Sequence, residues 1–378
     1  MRRDKISALI LAAGYSSRMG EFKPLLPLYG KTVIERAVCG FRQMGLKDIR
    51  VVTGYRAEEL LPVLCSLQVT PVYNEQYASG MFSSLLAGLR TLADEAEAFF
   101  MLPVDTPLVK NKTLEKLLEK FQGTGKSVIY PCFRGERGHP PLIARECFNS
   151  ILACDISGNL RQVLKQFEEE SYDAEVVDRG ILLDMDTPED YENIKACHER
   201  GNIPTLEECE ALFSLYHVPE PVIRHGRMVA KVAYELGESL NKSASCLLDL
   251  DLVMAGGLLH DIAKGRPNHA QAGAAILEQE GFPGVAKVIS RHMNLGSPDK
   301  YPVIDETALV YLADKVVEKE KTVRIEQRYS DAFRRNTGNP EAVKGVGERM
   351  KQAHLIKERI ENSLGLNDLY AYLFSGEG

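Results

Sequence analysis

The residues best suited to chemistry fall into two groups, one in each half of the chain. Near the start, Leu11-Ala12-Ala13-Gly14-Tyr15-Ser16-Ser17-Arg18-Met19-Gly20, with Lys23 three residues on, joins a glycine-bearing loop to two fixed cations. Loop amides left unpaired between a strand and a helix face a phosphate readily. Arg18 and Lys23 would suit a triphosphate; a tight turn with two scattered bases is the plainer alternative. The Gly-Lys-Ser/Thr of a P-loop is missing. Further on, Asp105 stands at the carboxyl end of the apolar run Phe99 to Val104. Magnesium is a hard cation that takes carboxylate oxygen together with substrate phosphates, so Asp105 reads as a Mg²⁺ ligand. Its competing use is to cap the turn at Thr106-Pro107. In the second half, His260 and Asp261 are adjacent within an apolar helical pattern. Two such groups are costly to bury unless a partner compensates. Imidazole and carboxylate together suit a transition metal, and one carboxylate can bridge two ions.

These residues need elements to position them. Ile6 to Leu11 reads as a buried strand. The helix after the loop opens with a Thr32/Glu35 capping box, has one apolar face (Val33, Ile34, Ala37, Val38, Phe41, Met44) and stops at Gly45. Strands at Ile49–Gly54, Val69–Tyr73, Phe99–Val104 and Ser127–Pro131 alternate with helical patterns at Ala57–Leu64 and Ser83–Leu92, which implies a parallel α/β sheet. Loops at the carboxyl ends of such strands are where open sheets bind ligands. Arg200 to Pro204 reads as a linker, and a Thr205/Glu208 capping box opens a region of helical periodicity without strands. Helices are expected at Val222–Leu240, carrying His225, and at Leu252–Lys264, carrying His260 and Asp261 and ending at Gly265. His269 opens a third, His292 closes a fourth, and Asp314 lies in a fifth, Thr307–Val317. The charged stretch beyond, Lys315 to Lys321 and then Arg324, Arg328, Arg334 and Arg335, reads as a solvated helical face; the alternative is that it approaches substrate phosphates.

Composition sets outer bounds. A chain of 378 residues is too long for one ordinary core, so two domains are expected. At 44% hydrophobic and 26% charged it is ordinary globular protein. A net charge of −7 argues against nucleic acid as a partner. No apolar run reaches the ~18 residues a membrane span needs, and Met-Arg-Arg-Asp-Lys leads directly into a strand without a secretory pattern. Eight scattered cysteines without C-x-x-C fit reduced thiols in the cytoplasm.

The first loop, Leu-Ala-Ala-Gly-x-Ser-Ser-Arg-Met-Gly-x-x-Lys, resembles the signature of the MobA/MocA-like nucleotidyltransferases, which transfer a nucleotide to the pterin of the molybdenum cofactor. The Ala-Ala-Gly form is similar to the cytidylyl branch. This resemblance spans about the first half of the chain. It implies a Rossmann-like domain in which Leu11, Ala12, Ala13 and Gly14 bind CTP or another NTP, with Arg18 and Lys23 on its phosphates. The loop Asn74 to Ser84, through Gly80, would hold the base. Pro103-x-Asp105-x-Pro107 carries the family's Mg²⁺ ligand, and Asp184-Met185-Asp186-Thr187-Pro188 resembles its closing motif, where a second acid reaches the same metal. Strand alternation would put Asp184 and Asp186 on one face, with Asp186 preferred; Glu189 and Asp190 belong to a first helical turn. Gly138 and His139 resemble the loop that meets a molybdopterin-type acceptor, although the same stretch also reads as a surface hairpin tip. A departure follows: where the family has Gly-Asp-x-Gly-x-Arg, this chain runs Cys154-Asp155-Ile156-Ser157-Gly158-Asn159-Leu160-Arg161, which leaves the acceptor open and admits a phosphosugar. A molybdoenzyme or its maturation factor is a protein partner the resemblance would allow.

The set His225, His260-Asp261 and Asp314 resembles the HD phosphohydrolase superfamily, and His269 with His292 extends it to the dinuclear type. By that resemblance one metal takes His225, His260, Asp261 and Asp314, and the other shares Asp261 with His269 and His292. Lys264 would pair with a substrate phosphate. One or two divalent ions of the Mn, Fe, Mg or Ni type are implied. The expected architecture is therefore an α/β nucleotidyltransferase domain with a mostly parallel sheet over 1–200, followed by an all-α HD domain over 205–378. The second domain is expected to be a hydrolase or, alternatively, a module that only senses a nucleotide or metal.

Overall fold

The computed structural model describes residues 3–92, 94–243, 247–296 and 304–374. It divides into two compact units, the first ending at Gly201 and the second beginning at Asn202.

The first unit runs β1 (Ile6–Leu11), a ribbon of β2 (Pro27–Leu28) and β3 (Lys31–Thr32), α1 (Val33–Gln43), β4 (Asp48–Thr53), α2 (Ala57–Ser66), β5 (Thr70–Tyr73), α3 (Met81–Leu89), β6 (Ala98–Pro103), α4 (Asn111–Thr124), β7 (Val128–Phe133), β8 (Glu136–Arg137), β9 (Leu142–Ala144), α5 (Phe148–Leu152), α6 (Leu160–Leu164), β10 (Ser171–Glu175) and α7 (Pro188–Glu199). The sheet order is β10-β7-β9-β6-β1-β4-β5, with β8 hairpinned onto β7. The sheet is mostly parallel, as expected; β9 runs antiparallel to both of its neighbours. Alternation along the strands builds two apolar layers. Ala8, Ile10, Phe100 and Leu102 pack with α1 and α4, while Leu9, Leu11, Phe99 and Met101 pack with α3 and α5.

The register decides what emerges together. Leu11 pairs with Pro103 on β6 and with Val52 on β4, all parallel. The glycine loop and Asp105 therefore leave the sheet side by side. Two local expectations are corrected and a third reading, the hairpin, is met. Helix α1 does not follow the loop directly, because β2 and β3 intervene, and its first amides are taken by the Thr32/Glu35 box. Residues 183–187 form a loop after a 3₁₀ turn rather than a strand, so alternation does not place Asp184 and Asp186. Arg134 and Gly135, both at positive φ, turn a real hairpin between β7 and β8.

The second unit is helical: α8 (Leu206–Leu215), α9 (Glu220–Lys242), α10 (Leu250–Leu259), α11 (His269–Gln279), α12 (Pro283–Ile289), α13 (Glu306–Lys315), a small hairpin of β11 (Val317–Glu318) and β12 (Lys321–Thr322), α14 (Ile325–Arg335), α15 (Pro340–Leu364) and α16 (Leu369–Phe374). Helix α13 is the axis of the core, buried from Thr307 through Lys315. Here too the structure corrects the sequence reading. Helix α10 stops at Leu259, so His260 and Asp261 sit in the turn that follows. Helix α12 stops at Ile289, before His292. The stretch 315–321 is a buried lysine and a hairpin, not a solvated helix.

Helices α9 and α10 meet backbone to backbone. A Cβ on Gly257 would lie 2.5 Å from the Ala230 Cα, and one on Gly226 would lie 2.6 Å from the Leu258 carbonyl oxygen. Overpacking of a close contact costs about 1–3 kcal/mol, so Gly257→Ala should lower the thermal midpoint of the helical unit. Gly347 in α15 has open space around it; Gly347→Ala should hold or raise that midpoint, by ~0.5–1 kcal/mol of helix stability. Differential scanning calorimetry of the two variants checks the contrast.

Candidate functional sites

In the first unit the glycine loop, the 3₁₀ turn at Tyr77–Ser79 and the end of β6 enclose a pocket of about 210 Å³. Leu11, Ala12, Ala13, Gly14, Lys23, Gly80, Ser84 and Asp105 all line it. Lys23 is buried, and its Nζ donates to Asp105 Oδ2 at 3.2 Å and to Asp186 Oδ1 at 2.7 Å. Arg18, largely exposed, reaches Asp186 Oδ2 at 2.9 Å. Chain segments far apart in sequence thus bring two cations and two carboxylates to one place. Ser16 fixes the lysine by accepting its backbone N–H at 3.2 Å. Asn74 does not open into the pocket. It is buried, with its side-chain amide donating to Ser83 and Ser84 and its oxygen accepting from Gln76 N–H, so it shapes the base-side loop from behind.

Two hard-oxygen donors converge here on a positive group, and that donor set fits a magnesium ion. Asp184 accepts from the Thr106 hydroxyl at 3.0 Å. Burial pushes its carboxyl above the usual range, with the Thr106 bond opposing and Asp105 adding to the rise.

A larger cleft, about 1220 Å³, adjoins this pocket through Leu11, Gly80 and Met81. Gly138 and His139 line it, and a Cβ on Gly138 would collide with the Ile181 carbonyl oxygen at 2.4 Å. His139 Nδ1 is buried without a hydrogen-bond partner. Burial lowers the imidazole's pKa, while Asp184 and Asp105 pull it the other way. The hairpin tip is Arg134-Gly135, and His139 lies beyond it in the wall of the cleft. The irregularly spaced segment ends in the same cleft, since Gly158 turns tightly against Cys154, Asp155 and Phe82 and delivers Arg161 to the wall. Lys165, one turn on in the same direction, and Tyr130 were not legible as site residues.

In the second unit the six expected ligands form two groups, His225/His260/Asp314 and Asp261/His269/His292, each with candidate ligand atoms within 4.8 Å. Asp261 lies between them: Oδ2 is 3.5 Å from His260 Nε2, and Oδ1 is 3.2 Å and 3.6 Å from the Nε2 atoms of His269 and His292. Asp314 Oδ1 is 3.2 Å from His225 Nε2 and 3.7 Å from His260 Nε2. Three imidazoles donate Nδ1–H outward to backbone carbonyls, His225 to Lys319, His260 to Gly257 and His292 to Ile289. That pins the tautomer and leaves the Nε2 lone pair facing inward. The hairpin turn at Lys319 thus orients a ligand.

The inward atoms lack ordinary partners. His260 Nε2 and Asp261 Oδ1 are buried with no hydrogen bond, and the Nε2 atoms of His269 and His292 face each other at 3.2 Å. Such a set fits divalent transition-metal ions. Burial alone would raise the Asp261 carboxyl, yet His260, His269 and His292 outweigh it and hold it well below its ordinary range. Asp314 is likewise held down against burial by Lys315 and His225. Lys264 Nζ lies 2.6 Å from Asp261 Oδ2. Lys315, not anticipated, is buried and joins the two groups by donating to Asp314 at 2.5 Å and to the His292 carbonyl at 3.1 Å. Its signal was a lysine next to an acid inside an otherwise apolar helix.

Residues 8–172 match the MobA-like NTP transferase domain and residues 222–318 match the HD domain. The molybdenum cofactor cytidylyltransferase of Escherichia coli (strain K12) is 30% identical over 187 residues, 49% of this chain and 93% of that protein. The bifunctional protein GlmU of Syntrophotalea carbinolica is 30% identical over 131 residues, 34% of this chain and 28% of that protein. Among solved structures, a nucleotidyl transferase from Methanothermobacter is similar at 28% identity and a TM-score of 0.46, covering 52% of this chain and 98% of that one. The chain belongs to the MobA-like nucleotidyltransferase family and carries an HD domain after it. Among the described residues no helix is long and apolar enough to cross a membrane.

Metal analysis after dialysis against Mn²⁺ should find two equivalents per chain at the helical unit. His292→Ala should remove one. Asp261→Ala should remove both, and retention of both would exclude a bridging role.

Proposed function

We propose that this member of the MobA-like family transfers a cytidylyl group from CTP to a phosphorylated, molybdopterin-type acceptor and releases pyrophosphate. One observation supports the reading: Lys23 and Asp105 line a pocket at the glycine loop, Lys23 also pairs with Asp186, and a second, larger cleft adjoins that pocket. The loop from Ala12 to Gly20 would set its amides on the triphosphate, with Lys23 and Arg18 neutralising the charge that grows on the departing pyrophosphate. Asp105 and Asp186 would hold Mg²⁺, which when bound supplies charge neutralisation at the α-phosphate. An acceptor phosphate oxygen attacks the α-phosphorus; a P–O bond forms there, and the bond to the β-phosphate oxygen breaks. No general base is required, because the acceptor is already an anion. His139 and Arg161, from opposite segments of the cleft, would orient that acceptor phosphate, and Met81, Phe82 and Met101 offer an apolar wall for a flat ring. The match to a cytidylyltransferase of E. coli and the Ala12-Ala13-Gly14 form support CTP.

The helical unit would be a metal-dependent phosphohydrolase. Asp261, from the second ligand group, lies 3.5 Å from His260 of the first and would bridge the two, and ions bound there would activate water near neutral pH. His225, His260, His269, His292 and both aspartates would hold them, and Lys264 would meet a substrate phosphate.

Incubation of the full chain with labelled CTP, GTP or ATP, each with molybdopterin or a phosphosugar, tests the transferase reading. CTP with molybdopterin should give the product; a phosphosugar product alone would replace the acceptor. Asp105→Ala should cut turnover by about a thousandfold, the scale on which lost electrostatic stabilisation acts, with an unchanged melting curve. Near-normal turnover would remove the assignment.

A further inference from the structure

Beyond the HD match, which ends at residue 318, helix α14 sends one arginine back to the metal-ligand cluster. Arg328 Nη2 lies 3.9 Å from Asp314 Oδ1, the oxygen that also faces His225 and His260. Its Nε is buried with no hydrogen-bond partner, while the side chain as a whole keeps 30% of its surface exposed. With Nε buried and unpaired and Nη2 no closer than 3.9 Å to its acid, the guanidinium is under-satisfied as it stands, since five donors seek acceptors.

Three cations surround the two acids, and they differ in freedom. Lys315 is buried, and its ammonium is fixed between Asp314 Oδ2 and the His292 carbonyl. Lys264 and Arg328 are more exposed, and each leans on one acid, Lys264 on Asp261 and Arg328 on Asp314. Once the carboxylates give their charge to divalent ions, these two cations lose their counter-charge. Two divalent ions and three side-chain cations against two carboxylates leave a strongly positive site. A planar guanidinium recognises a tetrahedral oxyanion through paired N–H···O bonds, which an ammonium cannot do.

We propose that Arg328 is the second phosphate-binding cation of the helical unit, forming with Lys264 a two-sided subsite for a phosphate mono- or diester anion. The proposal rests on the hydrolase reading above. It adds a specificity-determining residue from outside the HD domain proper: the guanidinium moves off Asp314 and onto the non-bridging oxygens of the substrate. Lys315 stays in place as a positioning residue.

The test is calorimetric titration of inorganic phosphate into the full chain loaded with Mn²⁺, alongside metal analysis of each variant. Wild type should bind phosphate. Arg328→Met should keep both metal equivalents and weaken phosphate binding at least tenfold, and Arg328→Lys should recover part of it. Arg335→Met, on the same helix, should behave as wild type. Binding by Arg328→Met within threefold of wild type overturns the proposal, as does loss of metal in that variant, which would make Arg328 a support for Asp314 only. Failure of metal-loaded wild type to bind phosphate overturns the subsite together with the hydrolase reading, and is distinguishable because Arg328→Met is then no different.

Discussion

A lysine ammonium held between two carboxylates is the interaction on which the first unit turns. Lys23 comes from the loop after β1, Asp105 from the end of β6 and Asp186 from the segment before α7, and the three are brought within ion-pair distance. Without a cation there, two partly buried acids would repel each other, and the loops that carry them would have no reason to converge. The proposed catalytic use of the place rests on the same fact. A site built to satisfy paired negative charge with positive charge is already built for a divalent ion and a polyphosphate.

The helical unit applies the same constraint more severely. Asp261 and Asp314 are almost fully buried, so their charge must be met inside the protein. Histidine nitrogens, two lysines and an arginine meet it, and the backbone contributes by taking the outward N–H of three imidazoles. The close contact of α9 and α10 over Gly226 and Gly257 lets His225 and His260 share one acid. Packing here serves ligand geometry directly.

Much of this was legible in the sequence, and the reasons are local. The run Ile6 to Leu11 is apolar on both faces because β1 is central, and the Thr32/Glu35 box is visible because capping is a short-range rule. The pair His260 and Asp261 stood out because adjacent ionisable groups in an apolar pattern demand an explanation, and His225, His269, His292 and Asp314 joined it only through the resemblance to the HD superfamily. What failed was the placement of chain ends and turns. The last turn of α10 was read too long because apolar periodicity runs past Leu259, although His260 and Asp261 already belong to a turn. The segment 183–186 looked like a strand because Leu183-Asp184-Met185-Asp186 alternates, but its order comes from contact with the loop after β6, where Met185 N–H donates to the Asp105 carbonyl at 2.9 Å. The burial of Lys315 and the approach of Arg328 to Asp314 were hidden for a different reason. Charged residues in a charged stretch look solvated until tertiary packing shows where they point.

The most direct measurement is a crystal structure of the full chain with Mn²⁺ and a non-hydrolysable CTP analogue, read by the manganese anomalous signal. The account requires a peak in contact with Asp105 and Asp186, with Lys23 displaced onto the triphosphate. A triphosphate bound elsewhere, or a peak more than about a Debye length (~8 Å) from both carboxylates with Lys23 still between them, would contradict it.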